Sequence, residues 1–244
     1  MYLKRVLYSQ NQGQDSSIYP FNIPWLENLQ SLDFPSNVTF FVGENGTGKS
    51  TLLEAIADKC EFNSAGGGRN SSFEVDQAES ALAEYIRLSW SPKVTKGFFL
   101  RAETFYHYAS YIDSLEEISS KKYAPYGGKS LHHQSHGESF LSLFKNSFGG
   151  RAIYLLDEPE AALSPVRQLS LMKIIKDLEH TAQFIIATHS PILLGYPNAT
   201  IYNFDNDEIE TIRYEDTIHY IMTKRFLQAP EIVLNELFKE DEEL

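Results

Sequence analysis

One nine-residue stretch, Gly43 to Thr51, constrains the fold of this chain more than any other part of its sequence. It reads Gly-Glu-Asn-Gly-Thr-Gly-Lys-Ser-Thr and fits the pattern G-x-x-x-x-G-K-[ST]. An apolar run over 38–42 precedes it, and apolar residues at helical spacing follow it. The pattern therefore predicts a phosphate-binding loop between a strand and a helix, with the helix covering about 49–59.

The residue types in this loop suit a polyphosphate. Its glycines let the backbone bend with N–H groups pointing inward, and the start of the helix adds a positive dipole end. The predicted nucleotide-binding residues are Gly43, Asn45, Gly46, Thr47, Gly48, Lys49, Ser50 and Thr51. We expect Lys49 to reach the β- and γ-phosphates and Ser50 to bind Mg²⁺. A glycine-rich turn without a ligand is the alternative, which the flanking strand and helix disfavour.

Composition narrows the class of protein. A chain of 244 residues with 42% hydrophobic and 22% charged residues is ordinary for a folded globular protein with one substantial core. A net charge of −12 argues against a broadly basic nucleic-acid-binding face. The single cysteine, Cys60, excludes an internal disulfide framework and suits the reducing cytoplasm, which is the predicted location. No run approaches ~18 apolar residues, so we expect no direct membrane insertion.

Two more buried strands are predicted to end in polar residues. A continuous apolar run over 152–156 leads into Asp157 and Glu158, and a second over 183–187 leads to His189. Buried carboxylates are costly unless they bind a cation or water, and open α/β sheets bind ligands beyond the carboxyl ends of their strands. The residues predicted to meet at this edge are Lys49, Asp157, Glu158 and His189.

The remaining patterns place the other elements. They predict strands over 2–8, 85–90, 97–100, 200–204 and 208–213, and helices over 104–118, from 135, from 164 to about 180, over 216–227 and over 230–239. Ser164 and Ser190, each followed by proline, are predicted helix caps. Ser135 and Glu138 have the spacing of a capping box, which explains both residues without any function. Tyr19, Phe21 or Trp25 is expected either to stack on adenine or simply to cover the edge of the sheet.

The order of these motifs resembles the ABC ATPase superfamily over nearly the whole chain. The matching segments are 43–51 for Walker A, 135–139 for the signature, 153–158 for Walker B, 161–164 for the D-loop and His189 for the switch histidine. The residues over 157–165 and 188–191 resemble those of the soluble RecF/SMC-like branch and its small stand-alone bacterial AAA-type ATPases. The implied fold is an α/β P-loop NTPase head, with a mixed or parallel core sheet flanked by helices. The resemblance implies one domain, 1–244, in which a helical signature subdomain at 104–150 is inserted into a core formed by 1–103 and 151–244.

The resemblance also implies a mechanism with ATP and Mg²⁺. Two subunits would stack head to tail around two ATP molecules as an ATP-dependent homodimer, with Ser135, Gly137 and Glu138 acting on the nucleotide held by the partner. Ser50, Asp157 and Glu103 are the implied metal ligands. Glu158 would orient and deprotonate the attacking water, and His189 would contact the γ-phosphate.

Three positions depart from the family pattern. His136 replaces a signature glycine, Glu103 stands where the glutamine of the Q-loop is usual, and Ser164 replaces a common D-loop aspartate. The histidines at 132, 133 and 136 also allow a metal interpretation, but without paired cysteines a histidine-rich linker is the better account.

The leading functional hypothesis is an ATP hydrolase that passes its motion to a protein or nucleic-acid partner, with DNA maintenance or defence as roles by analogy only. The segment between Lys49 and Ser135 is too short for the coiled-coil arms of SMC proteins. The alternatives are a nucleotide-binding subunit of a membrane transporter, which Glu103 disfavours, and a nucleotide-gated interaction module with little turnover, which Glu158 disfavours.

Overall fold

The computed structural model describes residues 1–10, 15–63, 67–68, 80–105, 109–110 and 136–239. Most of the predicted helix over 104–118 lies outside these residues, as do His132, His133 and Ser135. The strands are β1 (Leu3–Tyr8), β2 (Ser31–Asp33), β3 (Val38–Val42), β4 (Ile86–Trp90), β5 (Gly97–Arg101), β6 (Ala152–Asp157), β7 (Ala182–Ala187), β8 (Thr200–Asn203) and β9 (Glu210–Thr211). The α-helices are α1 (Pro24–Asn28), α2 (Lys49–Lys59), α3 (His136–Ser147), α4 (Pro165–Leu178), α5 (Pro191–Leu194), α6 (Ile218–Gln228) and α7 (Pro230–Leu237).

A six-stranded sheet in the order β5-β6-β7-β3-β8-β9 forms the centre of the molecule. Its first five strands are parallel, and only β9 runs antiparallel to its neighbour. Strands β3, β6 and β7 are buried at every position, as the continuous apolar runs predicted. Because β6, β7 and β3 are adjacent, the segments that leave their carboxyl ends emerge side by side.

Helices and a second sheet cover the two faces of the central sheet. Side chains alternate between the faces along each strand, so that Phe40 belongs to one hydrophobic cluster with α3 and α4, while Phe41 belongs to the other with α2. Each face therefore has its own buried core. This arrangement confirms the predicted mixed core sheet flanked by helices.

The predicted strands over 2–8 and 85–90 belong to a separate antiparallel sheet, in the order β2-β1-β4. One buried side chain connects it to the central sheet. The Gln183 Oε1 atom accepts from the amides of Tyr2 and Leu3 at 2.9 and 2.8 Å, and its Nε2 donates to the Leu3 carbonyl at 2.9 Å. Gln183 therefore satisfies backbone groups that would otherwise be buried without partners.

The helices α6 and α7 at the end of the described chain pack differently from the others, because neither contains a buried residue. Of the thirteen exposed large hydrophobic side chains among the described residues, eight lie in these helices or directly after them: Ile218, Ile221, Met222, Phe226, Leu227, Ile232, Leu237 and Phe238. Across the described ranges, no helix has both the length and the apolar composition required to span a bilayer.

Candidate nucleotide-binding site

The loop between β3 and α2 has the backbone that its glycines predicted. Gly43, Gly46 and Gly48 have backbone φ angles of +144°, +84° and +90°, which residues other than glycine rarely adopt. Gly48 occupies the N-cap position of α2 in a left-handed conformation. A Cβ atom at Gly48 would lie 2.9 Å from Ile23 Cδ1 and 3.0 Å from Trp25 Cζ2. Glycine is therefore required there both for its φ angle and for close packing.

Two side chains from distant parts of the chain hold the loop. The Trp25 Nε1–H donates to the Thr47 carbonyl at 2.6 Å, and Asp205, just after β8, accepts from the Glu44 amide through Oδ1 at 2.6 Å. Trp25 is only 1% exposed. It is an anchor of the loop, so the idea that it stacks on adenine is wrong. Asp205 was not predicted from the sequence, since nothing near it in sequence marks the contact.

Tyr19 and Phe21 are the other two aromatic candidates for stacking. The Tyr19 ring is 63% exposed, and its hydroxyl hydrogen-bonds the Thr51 hydroxyl on α2. Phe21 packs edge-on against Tyr85, with ring centroids 4.9 Å apart. Tyr19 therefore combines an accessible ring with a contact to the phosphate-binding loop's helix. Its stacking on adenine stays a prediction.

The ammonium of Lys49 lies inside the loop. It donates to the carbonyls of Gly43 and Glu44 at 2.8 and 2.7 Å, and the side chain is 4% exposed. Burial lowers the pKa of Lys49, and the carboxylates of Glu158 and Asp205 oppose this shift. Asn45 is exposed in the same loop. A phosphate group would satisfy the ammonium in place of the two backbone carbonyls.

The oxygen atoms of Ser50 and Asp157 lie together at the carboxyl end of β6. The Ser50 hydroxyl donates to Asp157 Oδ1 at 2.9 Å, and Asp157 is 3% exposed. Burial raises the pKa of Asp157 to about 6, although the nearby Arg101 guanidinium opposes the shift. Two oxygens at this separation suit adjacent ligands of an octahedral Mg²⁺, whose bonds of about 2.0–2.1 Å place neighbouring ligands about 3 Å apart. The pair therefore fits this metal.

Arg101 stands between Asp157 and the third predicted metal ligand. Its Nε lies 3.5 Å from Asp157 Oδ2 and 3.5 Å from Glu103 Oε2, and it also pairs with Glu54 on α2. Glu103 is 74% exposed. The structure thus brings Ser50 and Asp157 together and places Glu103 on the far side of a guanidinium.

Glu158 and His189 follow adjacent strands and face each other. Glu158 adopts a left-handed backbone with φ of +48°, and its amide donates to the Ala187 carbonyl of β7 at 2.9 Å. Its carboxylate Oε1 lies 3.7 Å from His189 Nε2. Left-handed backbone in a residue with a side chain is unfavourable and is concentrated at functional sites. The turn places a half-exposed carboxylate beside His189 and close enough to Lys49 to affect its pKa.

Two residues that the sequence analysis missed hold His189. Glu160 accepts from the His189 amide through Oε1 at 2.5 Å, and His219 on α6 places its Nε2 atom 2.9 Å from His189 Nδ1. Burial lowers the pKa of both imidazoles. Glu160 lies in the Asp-Glu-Pro-Glu run, so proximity could have identified it. His219 is 30 residues from His189 and has no local signal.

Comparison with known proteins identifies the fold and family. A family model described as "AAA domain" matches residues 18–140, half of the chain. The chain belongs to this AAA-domain family. A second model, which describes an AAA domain and names the AbiEii toxin of a type IV TA system, matches residues 133–195. These matches confirm the prediction of an ABC ATPase superfamily member.

Individual proteins are similar to this AAA-domain chain at low identity. The hemin import ATP-binding protein HmuV of Roseobacter denitrificans is 27% identical over 190 residues, covering 66% of this chain and 72% of that protein. The xylose/arabinose import ATP-binding protein XylG of Sulfolobus acidocaldarius is 24% identical over 196 residues, covering 70% and 75%. A solved nucleotide-free ATP-binding cassette from an ABC transporter aligns with a TM-score of 0.50 at 15% identity, covering 96% of this chain and 98% of that one. That likeness shows the P-loop ABC ATPase fold.

The predicted signature segment of this AAA-domain chain packs against its own helix α4. A Cβ at Gly137 would lie 2.8 Å from Arg167 Cδ and 3.1 Å from the Ala162 carbonyl, so glycine permits this approach. Glu138 pairs with Arg167 at 3.5 Å. The structure therefore places Gly137 beside Ala162 of the predicted D-loop and Glu138 beside Arg167 of α4, while Ser135 lies outside the described residues.

The two predicted serine caps behave differently. Ser190 accepts from the amides of Ile192 and Leu193 and caps α5 as predicted. Ser164 occupies the N-cap position of α4 but makes no side-chain cap hydrogen bond, so its predicted capping bond is absent. The buried Gln168 instead links the two segments, since it donates to the Leu163 carbonyl at 3.0 Å and accepts from the Ser190 hydroxyl at 2.5 Å.

Proposed function

We propose that this chain is an ATP hydrolase that closes as an ATP-dependent head-to-tail dimer and drives a conformational change in a partner. The observation that carries the proposal is the convergence of Lys49, the Ser50–Asp157 pair and the Glu158–His189 pair at one edge of the sheet. Phosphoryl transfer requires positioned cations and donors far more than covalent chemistry. This edge supplies both.

Each residue has a proposed task in that reaction. Lys49 exchanges its backbone carbonyl partners for β- and γ-phosphate oxygens, and the loop amides bind the remaining oxygens. Ser50 and Asp157 would hold Mg²⁺. Glu103 lies beyond the Arg101 guanidinium and stays a predicted third ligand. When bound, Mg²⁺ neutralises charge on the phosphates. In the metal-free protein, the Arg101 guanidinium lies 3.5 Å from Asp157 Oδ2 and favours the ionised form of this carboxyl.

Glu158 is the proposed general base. It is 40% exposed and directed away from the buried strand, so an attacking water can reach it. His189 is the proposed donor to the γ-phosphate. Ser135, Gly137 and Glu138 would complete the site of the partner subunit. The adjacent D-loop would connect the two sites, because Gln168 joins the Leu163 carbonyl of that loop to Ser190 in the switch segment.

Sizing by light scattering tests this proposal. Glu158→Gln should abolish turnover and trap the dimer, so we expect a doubled mass with Mg-ATP and a monomer without nucleotide. Glu158→Gln combined with Ser135→Arg should bind ATP and stay monomeric. Glu84→Gln, an exposed residue before β4, is the matched control and should hydrolyse ATP like the parent. A Glu158→Gln protein that binds ATP but remains monomeric under all conditions contradicts the dimer, and a parent protein without turnover contradicts the hydrolase.

A transporter nucleotide-binding subunit is the second candidate, and the names of the similar import ATP-binding proteins favour it. That function requires an integral membrane partner, so the protein should co-purify with one from membranes. The match to a model naming a type IV TA system favours a soluble defence role instead. In that case ATP turnover should respond to a soluble protein or nucleic-acid partner, and no membrane protein should be recovered. A chain that binds ATP with the same negligible turnover before and after Glu158→Gln would instead be a nucleotide-gated interaction module.

A further inference from the structure

A histidine outside every predicted motif contacts the proposed γ-phosphate donor. The Nε2 atom of His219 lies 2.9 Å from Nδ1 of His189, and the ring centroids are 5.0 Å apart. Both rings are partly buried. A separation of 2.9 Å is a hydrogen bond, so one of the two nitrogens carries the shared proton.

The position of His219 is fixed by the start of its helix. Thr217, 1% exposed, caps α6 by accepting from the Tyr220 amide and donates to the Tyr214 carbonyl at 2.8 Å. Tyr214 in turn donates its hydroxyl to the Pro191 carbonyl at 2.8 Å. Pro191 lies two residues after His189. The first turn of α6 is therefore attached to the same segment that carries His189.

The shared proton determines what the other face of His189 can do. If His219 donates, Nδ1 of His189 is the acceptor and Nε2 of His189 carries its proton, directed toward the Glu158 carboxylate 3.7 Å away. If His189 donates instead, a bare Nε2 lone pair faces that carboxylate, which is unfavourable. Burial lowers the pKa of both imidazoles and so favours neutral rings. Between two neutral rings, only the first arrangement provides an N–H for a γ-phosphate oxygen. Within the described residues His189 Nε2 is buried and has no hydrogen-bond partner, so this N–H is not used by the protein itself.

We propose that His219 is a positioning residue, which donates from Nε2 to His189 and thereby holds His189 in the tautomer that donates to the γ-phosphate. This inference rests on the proposed hydrolase function. It adds a residue that the family resemblance does not supply, and it attaches the site to α6. His219 itself contacts His189 rather than the nucleotide.

Three variants test the inference by steady-state ATP hydrolysis. His219→Leu keeps the side-chain volume and removes the donor, so we expect kcat to fall about tenfold to a hundredfold while KM stays within about twofold. His219→Gln can place an amide N–H near the same point and should recover most of kcat. His180→Leu, an exposed histidine after α4, is the matched control and should match the parent.

A double variant and a spectrum separate positioning from general damage. If His219 acts through His189, His189→Ala with His219→Leu should be no slower than His189→Ala alone. Imidazole ¹⁵N spectra of the folded protein should show His189 with a protonated Nε2 and a bare Nδ1, and His219→Leu should lose this single tautomer. The inference is overturned if His219→Leu retains the parent kcat, or if His219→Gln has no higher kcat than His219→Leu at equal Tm. It is also overturned if the reductions in kcat from His189→Ala and His219→Leu multiply in the double variant. Because the spectra need no turnover, they decide the inference even if the parent proves inactive.

Discussion

At the scale of single residues, the buried Asp157 carboxylate is an electrostatic cost that the proposed metal would relieve. Its folded-state pKa of about 6 lies above the usual value of 3.8 for an unfolded carboxyl. The folded protein therefore binds a proton more tightly than the unfolded chain, so the contribution of Asp157 to stability is complete below about pH 4 and is lost as the pH rises through 6. At pH 7.5 the difference amounts to about 3 kcal/mol.

We predict that Asp157→Asn stabilises the metal-free protein at pH 7.5, because the amide keeps the shape and removes the buried charge. The gain in the free energy of unfolding should approach about 3 kcal/mol at pH 7.5 and shrink toward zero at pH 4. Urea denaturation with EDTA at both pH values measures this. Asp207→Asn, an exposed position, should show no such dependence. A gain that is equal at both pH values would mean that packing, not ionisation, is responsible.

A second residue-scale prediction concerns Trp25. Trp25→Phe should keep most of the buried ring but lose the hydrogen bond to the Thr47 carbonyl. We expect the unfolding free energy to fall by about 1–2 kcal/mol and ATP to bind several-fold more weakly, because the loop loses an anchor. Calorimetry with ATP and urea denaturation check both effects. Trp90→Phe, a partly exposed residue on β4, should leave ATP affinity unchanged, and equal losses in both variants would contradict the anchor role.

These residues also show how far the sequence could predict the site. Lys49 and Ser50 were predictable because the nine-residue loop contains its own signal: glycine positions, a lysine and a hydroxyl at fixed spacing. Trp25, Asp205 and His219 were not, because their contacts span 22, 161 and 30 residues and depend on tertiary packing. Trp25 was singled out for its aromatic ring, while its indole N–H proved to be the group in contact with the loop.

At the scale of elements, the glycines between β3 and α2 differ in the space that the structure leaves for a Cβ atom. Gly46 and Gly48 both have positive φ angles, so an alanine is strained at either position. A Cβ at Gly46 has no neighbour within 4 Å, whereas one at Gly48 meets Ile23 and the Trp25 ring. The two positions therefore separate backbone strain from steric overlap.

We predict that Gly48→Ala lowers the unfolding free energy by at least about 1 kcal/mol more than Gly46→Ala does, because overpacking adds to the strain. Denaturant unfolding of both variants gives the comparison. Trp25→Phe leaves a smaller ring, so combining it with Gly48→Ala should cost less than the sum of the two separate changes. Equal losses for the two alanine variants would show that φ alone decides the effect.

The positions of the strands along the chain were predicted better than the pairing of those strands in the two sheets. Continuous apolar runs identified β3, β6 and β7, since strands buried on both faces lack the alternation of surface strands. The assignment of β1 and β4 to a second sheet was not predictable, because pairing between distant strands leaves no periodicity in either. The predicted strand over 208–213 shortens to Glu210–Thr211, because its ladder with β8 extends over only Tyr202 and Asn203.

At the scale of the whole molecule, α6 and α7 differ from the rest of the fold because they add little to its buried core. Both lack buried residues, and they pair with each other through Arg225 and Glu236. Segments with few buried contacts open locally at low free energy. Among the described residues, the buried Thr217 and the His219–His189 contact hold the start of α6.

We predict that backbone amides in α6 exchange with deuterium much faster than those in β3 or β7, and that Mg-ATP slows exchange in the first turns of α6 in the Glu158→Gln protein. A phosphate bound to Nε2 of His189 would strengthen the hydrogen bond from His219, because polarisation is transmitted through the ring. Adding His219→Leu should remove this protection from α6 while the loop over 43–51 remains protected by ATP. If α6 exchanges equally with and without ATP, or stays protected without His219, then α6 does not sense the nucleotide through this pair.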